Sequence, residues 1–171
     1  MRRAALLALA VLGGLAAAAP PALAAKTVDV PASFRSLLPK VKMKTSVPIL
    51  LPSSLKLDFD RGQHLYRAAA GRRSGYELEL SAVPGCRGAN ACFAATFTAR
   101  RGAKLGSRSN VTLARGAKGH YQPLSCGASC APPSIAWTLN GVRYEIQARA
   151  LPGKRADMVA AANSAIRAGG R

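Results

Sequence analysis

Residues 134 to 150 read SIAWTLNGVRYEIQARA, and this stretch limits the fold more than any other. Asn140-Gly141 divides two alternating runs, and Asn-Gly is the pair best able to take the φ > 0 conformation of a two-residue type I′ turn. Counting outward from that turn sets Leu139 opposite Val142, Trp137 opposite Tyr144 and Ile135 opposite Ile146. Side chains alternate with a period of two, so all three apolar pairs fall on one face. The opposite face carries Ser134, Ala136 and Thr138 against Arg143, Glu145, Gln147 and Arg149. A hairpin with one greasy and one wet face needs further strands beside it and a cover over the greasy side.

Those strands are found by the same alternation. Leu55, Leu57 and Phe59 alternate with Lys56, Asp58 and Asp60, and His64 to Ala69 reads as a short strand pairing back onto them after the Arg61-Gly62 turn. Arg72-Arg73-Ser74-Gly75 is a turn. Tyr76, Leu78, Leu80 and Ala82 then alternate with Glu77, Glu79 and Ser81. Phe93, Ala95, Phe97 and Ala99 give another apolar face after a Pro84–Gly88 loop. Only Val111 and Leu113 look strand-like between 100 and 119. Val47 to Leu51, bracketed by Pro48 and Pro52, reads as an edge segment or an extended cover, since proline is excluded from central strands.

Ahead of it, Ser33 to Leu38 reads as a helical turn. Lys40, Lys42 and Lys44, alternating with Val41 and Met43, read equally as a lysine-guarded edge strand or a solvated linker. A helix over about 154–168 presents Met158, Val159, Ala162, Ala165 and Ile166 at helical spacing, with Arg167 in the last turn and Gly169-Gly170 to stop it. The expected class is α+β: an antiparallel sheet of about six or seven strands with one C-terminal helix packed on its apolar face.

The organisation expected is a leader over 1–24, a lead-in over 25–46 and a single disulfide-stapled domain over 47–171. Arg2-Arg3, an Ala-rich apolar stretch and Ala22-Leu23-Ala24 form the pattern of a cleaved export signal. The apolar stretch is short for a span, and no later segment is apolar enough to cross a membrane. Export suits the cysteines, since Cys86, Cys92, Cys126 and Cys130 make an even set in an oxidising compartment. Of three connectivities, the local one (Cys86–Cys92 with Cys126–Cys130) is favoured because both pairs bracket Gly-rich turns, although a crossed pairing closes longer loops.

Charge carries the functional signal. The chain has 25 basic and 7 acidic residues, a net charge of +18. Without Arg2 and Arg3, 23 basic residues remain and the net charge is +16. Codon bias towards Ala, Arg and Gly accounts for some of the arginines, but it does not account for the scarcity of acids. A surface of this sign attracts polyanions.

The order CGASCAPPSIAW, NGVRYEI and ANSAI over residues 125–168 resembles a group of small secreted bacterial proteins of unknown function. More distantly, the Trp-strand, tight turn, Tyr-strand and closing helix resemble a domain of unknown function in bacterial envelope and anti-sigma-factor-like proteins. The resemblance implies a bacterial, exported chain with a sheet-plus-helix fold, and it brings no catalytic residues.

Candidate chemistry is sparse. His64 and His120 are the only histidines, and neither sits in a nucleophile-elbow pattern. Asp58 and Asp60 have the opening spacing of a calcium loop, but Arg61 occupies a loop position, Gln63 brings no charge and the closing glutamate is missing. Cys126-Gly127-Ala128-Ser129-Cys130 has one residue too many for a Cys-x-x-Cys redox site, and the four cysteines lack zinc-knuckle spacing. No metal or other cofactor is implied. Asn110-Val111-Thr112 matches a glycosylation sequon, a pattern common by chance.

Arg100, Arg101, Lys104, Arg108, Arg115 and Lys118, in a Gly-punctuated stretch without acids, are the candidate anion-binding residues, with a flexible solvated loop as the competing reading. The stretch lacks the interleaved aromatics of a base-stacking surface. The expectation is a non-enzymatic periplasmic or extracellular domain that meets an anionic envelope polymer or an acidic protein. The alternatives are a thiol–disulfide factor using the CGASC loop, and a structural accessory subunit of an envelope complex.

Overall fold

The computed structural model describes residues 25–59, 62–86, 91–149 and 155–170; the leader expected over 1–24 lies outside them. Seven strands form one antiparallel sheet. They are β3 (Tyr66–Arg72), β4 (Gly75–Ser81), β5 (Phe93–Arg101), β6 (Val111–Thr112), β7 (Lys118–Gln122), β10 (Ser134–Leu139) and β11 (Val142–Ala148), in the spatial order β3-β4-β5-β11-β10-β7-β6. Two ribbons stand outside it: β1 (Lys26–Asp29) with β2 (Ser54–Leu57), and β8 (Ser125–Cys126) with β9 (Cys130–Ala131). Among the described residues three helices accompany the strands: α1 (Val30–Phe34), α2 (Leu38–Lys44) and α3 (Arg155–Ala168). The α+β class and the closing helix expected from sequence are therefore observed.

The β10–β11 hairpin has the register dictated by its turn. Leu139 faces Val142, Trp137 faces Tyr144 and Ile135 faces Ile146. Asn140 and Gly141 have φ of 50° and 71°, the positive values a type I′ turn demands. Trp137 and Tyr144 stack at 5.6 Å between ring centroids, on the buried side of the ribbon. The sheet continues outward on both sides of this hairpin, through β5 to β3 and through β7 to β6.

Helix α3 covers only part of the apolar face, burying Met158, Ala161, Ala162, Ala165 and Ile166 towards β10, β7 and the β1–β2 ribbon. The rest is covered by residues that precede the sheet. Val28, Val30, Phe34 and Val41 join the same core, so residues 25–46 pack with the domain rather than standing apart from it. Phe34 meets Phe97 edge-on at 5.9 Å. Residues 47–52 cross the face as an extended cover, as their prolines require, and two tyrosines anchor them. The Tyr76 hydroxyl donates to Leu50 O at 3.2 Å and accepts from Leu50 N at 3.1 Å, while the Tyr144 hydroxyl donates to Pro48 O at 3.3 Å.

Four sequence expectations are corrected. Residues 40–44 are neither strand nor linker but part of α2, entered at Pro39 and closed by Lys42 and Lys44 in its last turn. A helix turns its one needed apolar residue, Val41, onto β3 and leaves Met43 81% exposed. The strand at 66–72 pairs with β4 through the two-residue turn Arg73-Ser74, not with residues 55–59, whose strand β2 pairs with β1 instead. Phe93 does not share the face of Phe97, because a bulge at Leu80/Ser81 sets it opposite Ser81 while Ala95 faces Leu80. Finally, residues 118–122 form a strand that alternation does not show, since its core-facing position beside Trp137 is Gly119.

The candidate anion-binding face

With the core on one side, the other side of the sheet is open around its Arg and Lys positions, while Glu79, Phe93, Ser134 and Ala136 on it are buried, and register decides what stands on it. Along β11 that face carries Arg143, Glu145 and Gln147, and along β5 it carries Thr96, Thr98 and Arg100. Along β4 it carries Gly75, Glu77 and Glu79, and along β3 it carries Ala68, Ala70 and Arg72. Read across the strands, these positions form rungs, with neighbours in a rung about 4.8 Å apart and successive rungs about 7 Å apart.

One rung runs Arg72–Gly75–Arg100–Arg143–Thr138 by direct pairing. Lys118, next to the Gly119 that pairs with Trp137, lies level with Thr138. The rung therefore holds four cations and no acid. The next rung along the strands runs Ala70–Glu77–Thr98–Glu145–Ala136–His120, and the one after it Ala68–Glu79–Thr96–Gln147–Ser134–Gln122. All three glutamates of the chain thus stand on this face, one or two rungs from the cations.

Only one ion pair forms among the described residues, Arg143 Nη2 to Glu145 Oε2 at 2.7 Å, and it orients Arg143 within the face. Arg100 is exposed and directly opposite Arg143, a like-charge pair that costs stability unless an anion lies between the guanidinium groups. Gly75 sits in the same rung because nothing larger fits: a Cβ there would lie 2.1 Å from the Ala99 carbonyl oxygen.

The six residues expected from sequence are only partly gathered. Arg100 and Lys118 stand on the cationic rung. Arg101 points to the other side, where its Nη2 donates to Ser46 O at 3.2 Å and its charge lies close enough to act on the Tyr144 phenol. Lys104 and Arg108 lie exposed in the 102–110 connection, whose Arg108 carbonyl contacts His120 Nδ1 at 2.7 Å. Arg115 lies exposed on a single 3₁₀ turn (Ala114–Gly116) with φ of 57°. Arg72 and Arg143 were missed by a reading confined to residues 100–119. Arg143 was within reach, since the hairpin already placed it on the wet face.

The connection is also less free than a solvated loop. Asn110 pairs with Tyr121 as a strand residue would, its Nδ2 donating to Tyr121 O and its Oδ1 accepting from Tyr121 N, both at 2.8 Å. The sequon amide is therefore engaged in the fold. Arg155 of α3 donates to Asn110 O and lies over the Tyr121 ring at 5.8 Å.

The cysteines pair locally, Cys86 with Cys92 and Cys126 with Cys130. Cys86 is buried, whereas Cys126 and Cys130 are both exposed at the end of the β8–β9 ribbon. That ribbon overhangs the open face, and Ser129 to Pro132 form one wall of a groove of about 440 Å³ whose floor includes Glu77, Thr96, Thr98 and Gln147. Among the described residues no cluster of three metal-ligating side chains occurs, and no helix is long and apolar enough to cross a membrane. His64 packs edge-on to Tyr66 at 4.8 Å, and His120 stands on the open face opposite Ala136. Among the described residues the large apolar side chains left exposed, Met43, Tyr66, Val83 and Leu124, lie on four separate segments.

The two tyrosines that tie down the 47–52 cover have perturbed phenols. Burial pushes Tyr76 well above the usual tyrosine range, opposed by its hydrogen bond with Leu50. Burial also raises Tyr144, with the Arg101 charge opposing it. Both belong to the core and not to the open face. No protein family, characterised protein or solved structure matches this chain.

Proposed function

We propose that this chain is an exported, non-enzymatic domain that holds an anionic polymer on its open sheet face. The observation that carries this reading is the rung Arg72–Arg100–Arg143–Lys118, four cations drawn onto one line by four separate strands. Arg100 and Arg143 are adjacent, and Arg72 lies two strand spacings away, about 10 Å, across the side-chain-free Gly75. Guanidinium groups so spaced suit the repeated carboxylates or phosphates of a polymer better than one small anion. The net charge, +18 for the full chain and +16 without Arg2 and Arg3, adds long-range attraction that brings such a partner in. Export is supported by the two disulfides and by the leader pattern of the sequence.

The test is retention on an immobilised polyanion over a salt gradient. The wild type is expected to elute progressively later as ionic strength falls, and Arg100→Gln with Arg143→Gln to elute at markedly lower salt. Lys104→Gln with Arg108→Gln, which removes the same charge from the connection, is expected to elute close to wild type. Equal losses from both pairs would show that only net charge matters and would remove the site.

A second reading rests on the exposed Cys126–Cys130 bridge, which an incoming thiolate can reach without any rearrangement of the core. A thiol–disulfide role would require this bridge to be reduced selectively by mild reductant and labelled there. Labelling that begins only when the protein unfolds removes that reading.

A further inference from the structure

The groove beside the cationic rung differs from it in kind. Among the described residues its lining includes no Lys or Arg, although the chain carries 25 of them. Its floor offers the Glu77 carboxylate and the hydroxyls of Thr96 and Thr98. Gln147 adds a carbonyl acceptor, because its Nε2 is already given to Pro132 O at 3.4 Å. One strand over, Glu79 is opposite Thr96 and only 9% exposed, and no hydrogen bond or ion pair reaches its carboxylate among the described residues. This part of the face is rich in acceptors, and the donors on its lining side chains, the Ser and Thr hydroxyls and the second N–H of Gln147, carry no charge. The ligand it fits supplies many hydroxyl donors and little negative charge of its own.

The rung one step along supplies the opposite. Arg100 follows Thr98 by two residues on β5, and Arg143 precedes Glu145 by two on β11, a separation of about 7 Å on the same face. A single ligand meets both only if it carries anionic groups and hydroxyl-rich stretches side by side. The geometry points to an acidic polysaccharide, a chain of sugar rings bearing anionic groups. Those groups lie on Arg72, Arg100 and Arg143, and the ring hydroxyls lie in the groove against Glu77, Thr96, Thr98 and Gln147. The carboxylates of Glu77 and Glu79 repel the ligand's own charges and so hold them on the cationic rung. This assignment rests on the proposed anion-binding role and specifies the class of polymer within it.

The experiment compares two polyanions of matched charge and length, polygalacturonate and inorganic polyphosphate, by titration calorimetry with the full chain. Thr96→Ala with Thr98→Ala is expected to weaken polygalacturonate about tenfold, by loss of hydrogen bonds to ring hydroxyls, and to leave polyphosphate within twofold. Gln147→Ala provides a second variant of the same groove, and a thermal melt of each verifies that it folds. Arg100→Gln with Arg143→Gln is expected to weaken both polymers. Groove variants that leave both affinities unchanged, or reduce both alike, would overturn the polysaccharide assignment while leaving anion binding in place. A wild type that binds neither polymer would overturn both.

Discussion

Replacing Gly75 by alanine tests the sheet and the cationic rung together. Gly75 pairs with Arg72 on one side and Arg100 on the other, so it is the hinge between the two halves of the rung. A Cβ at this position would lie 2.1 Å from the Ala99 carbonyl oxygen and 3.2 Å from its carbon. Carbon and carbonyl oxygen do not approach closer than about 3 Å, so β4 and β5 must separate locally by close to an ångström. The obstruction is backbone in a paired strand, and no side chain can swing aside to relieve it. Overpacking of this kind costs about 3 kcal/mol, the upper end of its usual range. At about 2–4 °C per kcal/mol for a chain of this size, the melting temperature should fall by about 6–12 °C. Gly62→Ala is the control, since nothing lies within 4 Å of its added Cβ, and it should melt within about 2 °C of wild type on the size of ordinary surface effects. Circular dichroism melts of the two variants suffice. Equal melting temperatures would mean that β4 and β5 are not paired at Gly75, and the register behind the rung would be wrong.

Tyr76 and Tyr144 keep their protons more firmly when folded than when unfolded, so stability is complete below about pH 10 and falls above it. The fall is about 1.4 kcal/mol per pH unit for each tyrosine still protonated in the fold, measured by urea titration at pH 9, 10 and 11. A midpoint that does not move over that range would contradict the buried hydroxyl anchors. Gly141→Val forces a β-branched residue to φ of 71° and should cost about 1–2 kcal/mol in the same assay; no loss would rule out the type I′ turn. Mild reductant should open the exposed Cys126–Cys130 bridge before Cys86–Cys92, since Cys86 is buried, as read by mass after alkylation. Removing either bridge should cost about 2 kcal/mol, the entropy of closing so short a loop. Simultaneous reduction would mean that the two bridges are equally accessible.

The parts of this fold legible in the sequence are those fixed locally. Asn140-Gly141 determines both its turn and the register of every pair in the hairpin, because a two-residue loop leaves no freedom in the count. Residues 40–44 misled because alternation over five residues satisfies a strand and a short helix alike, and only the packing of Val41 on β3 decides between them. Strand β7 was hidden for a different reason. Its inward position is Gly119, and the space a side chain would fill is taken by Leu113 and Val111, 2.9 and 3.2 Å from a Cβ placed there. Hydrophobic alternation cannot register a residue whose partner supplies the apolar group. The cationic rung was hidden most completely. Arg72, Arg100, Lys118 and Arg143 lie far apart in the chain, and only the pairing of β11 with β5, a long-range contact, brings Arg143 beside Arg100. The dense basic stretch at 100–119 drew notice because charge density along the chain is visible, whereas charge density across a sheet is not.

The most direct measurement of where an anionic polymer sits is a titration of the ¹⁵N-labelled protein with a short uronate oligomer, followed by NMR at low salt. Shifts concentrated at the arginine Nε–Hε signals of Arg72, Arg100 and Arg143, with backbone changes in β5 and β11, are the predicted result. Shifts confined to the 102–110 connection, or spread evenly over every exposed cation, would contradict the account.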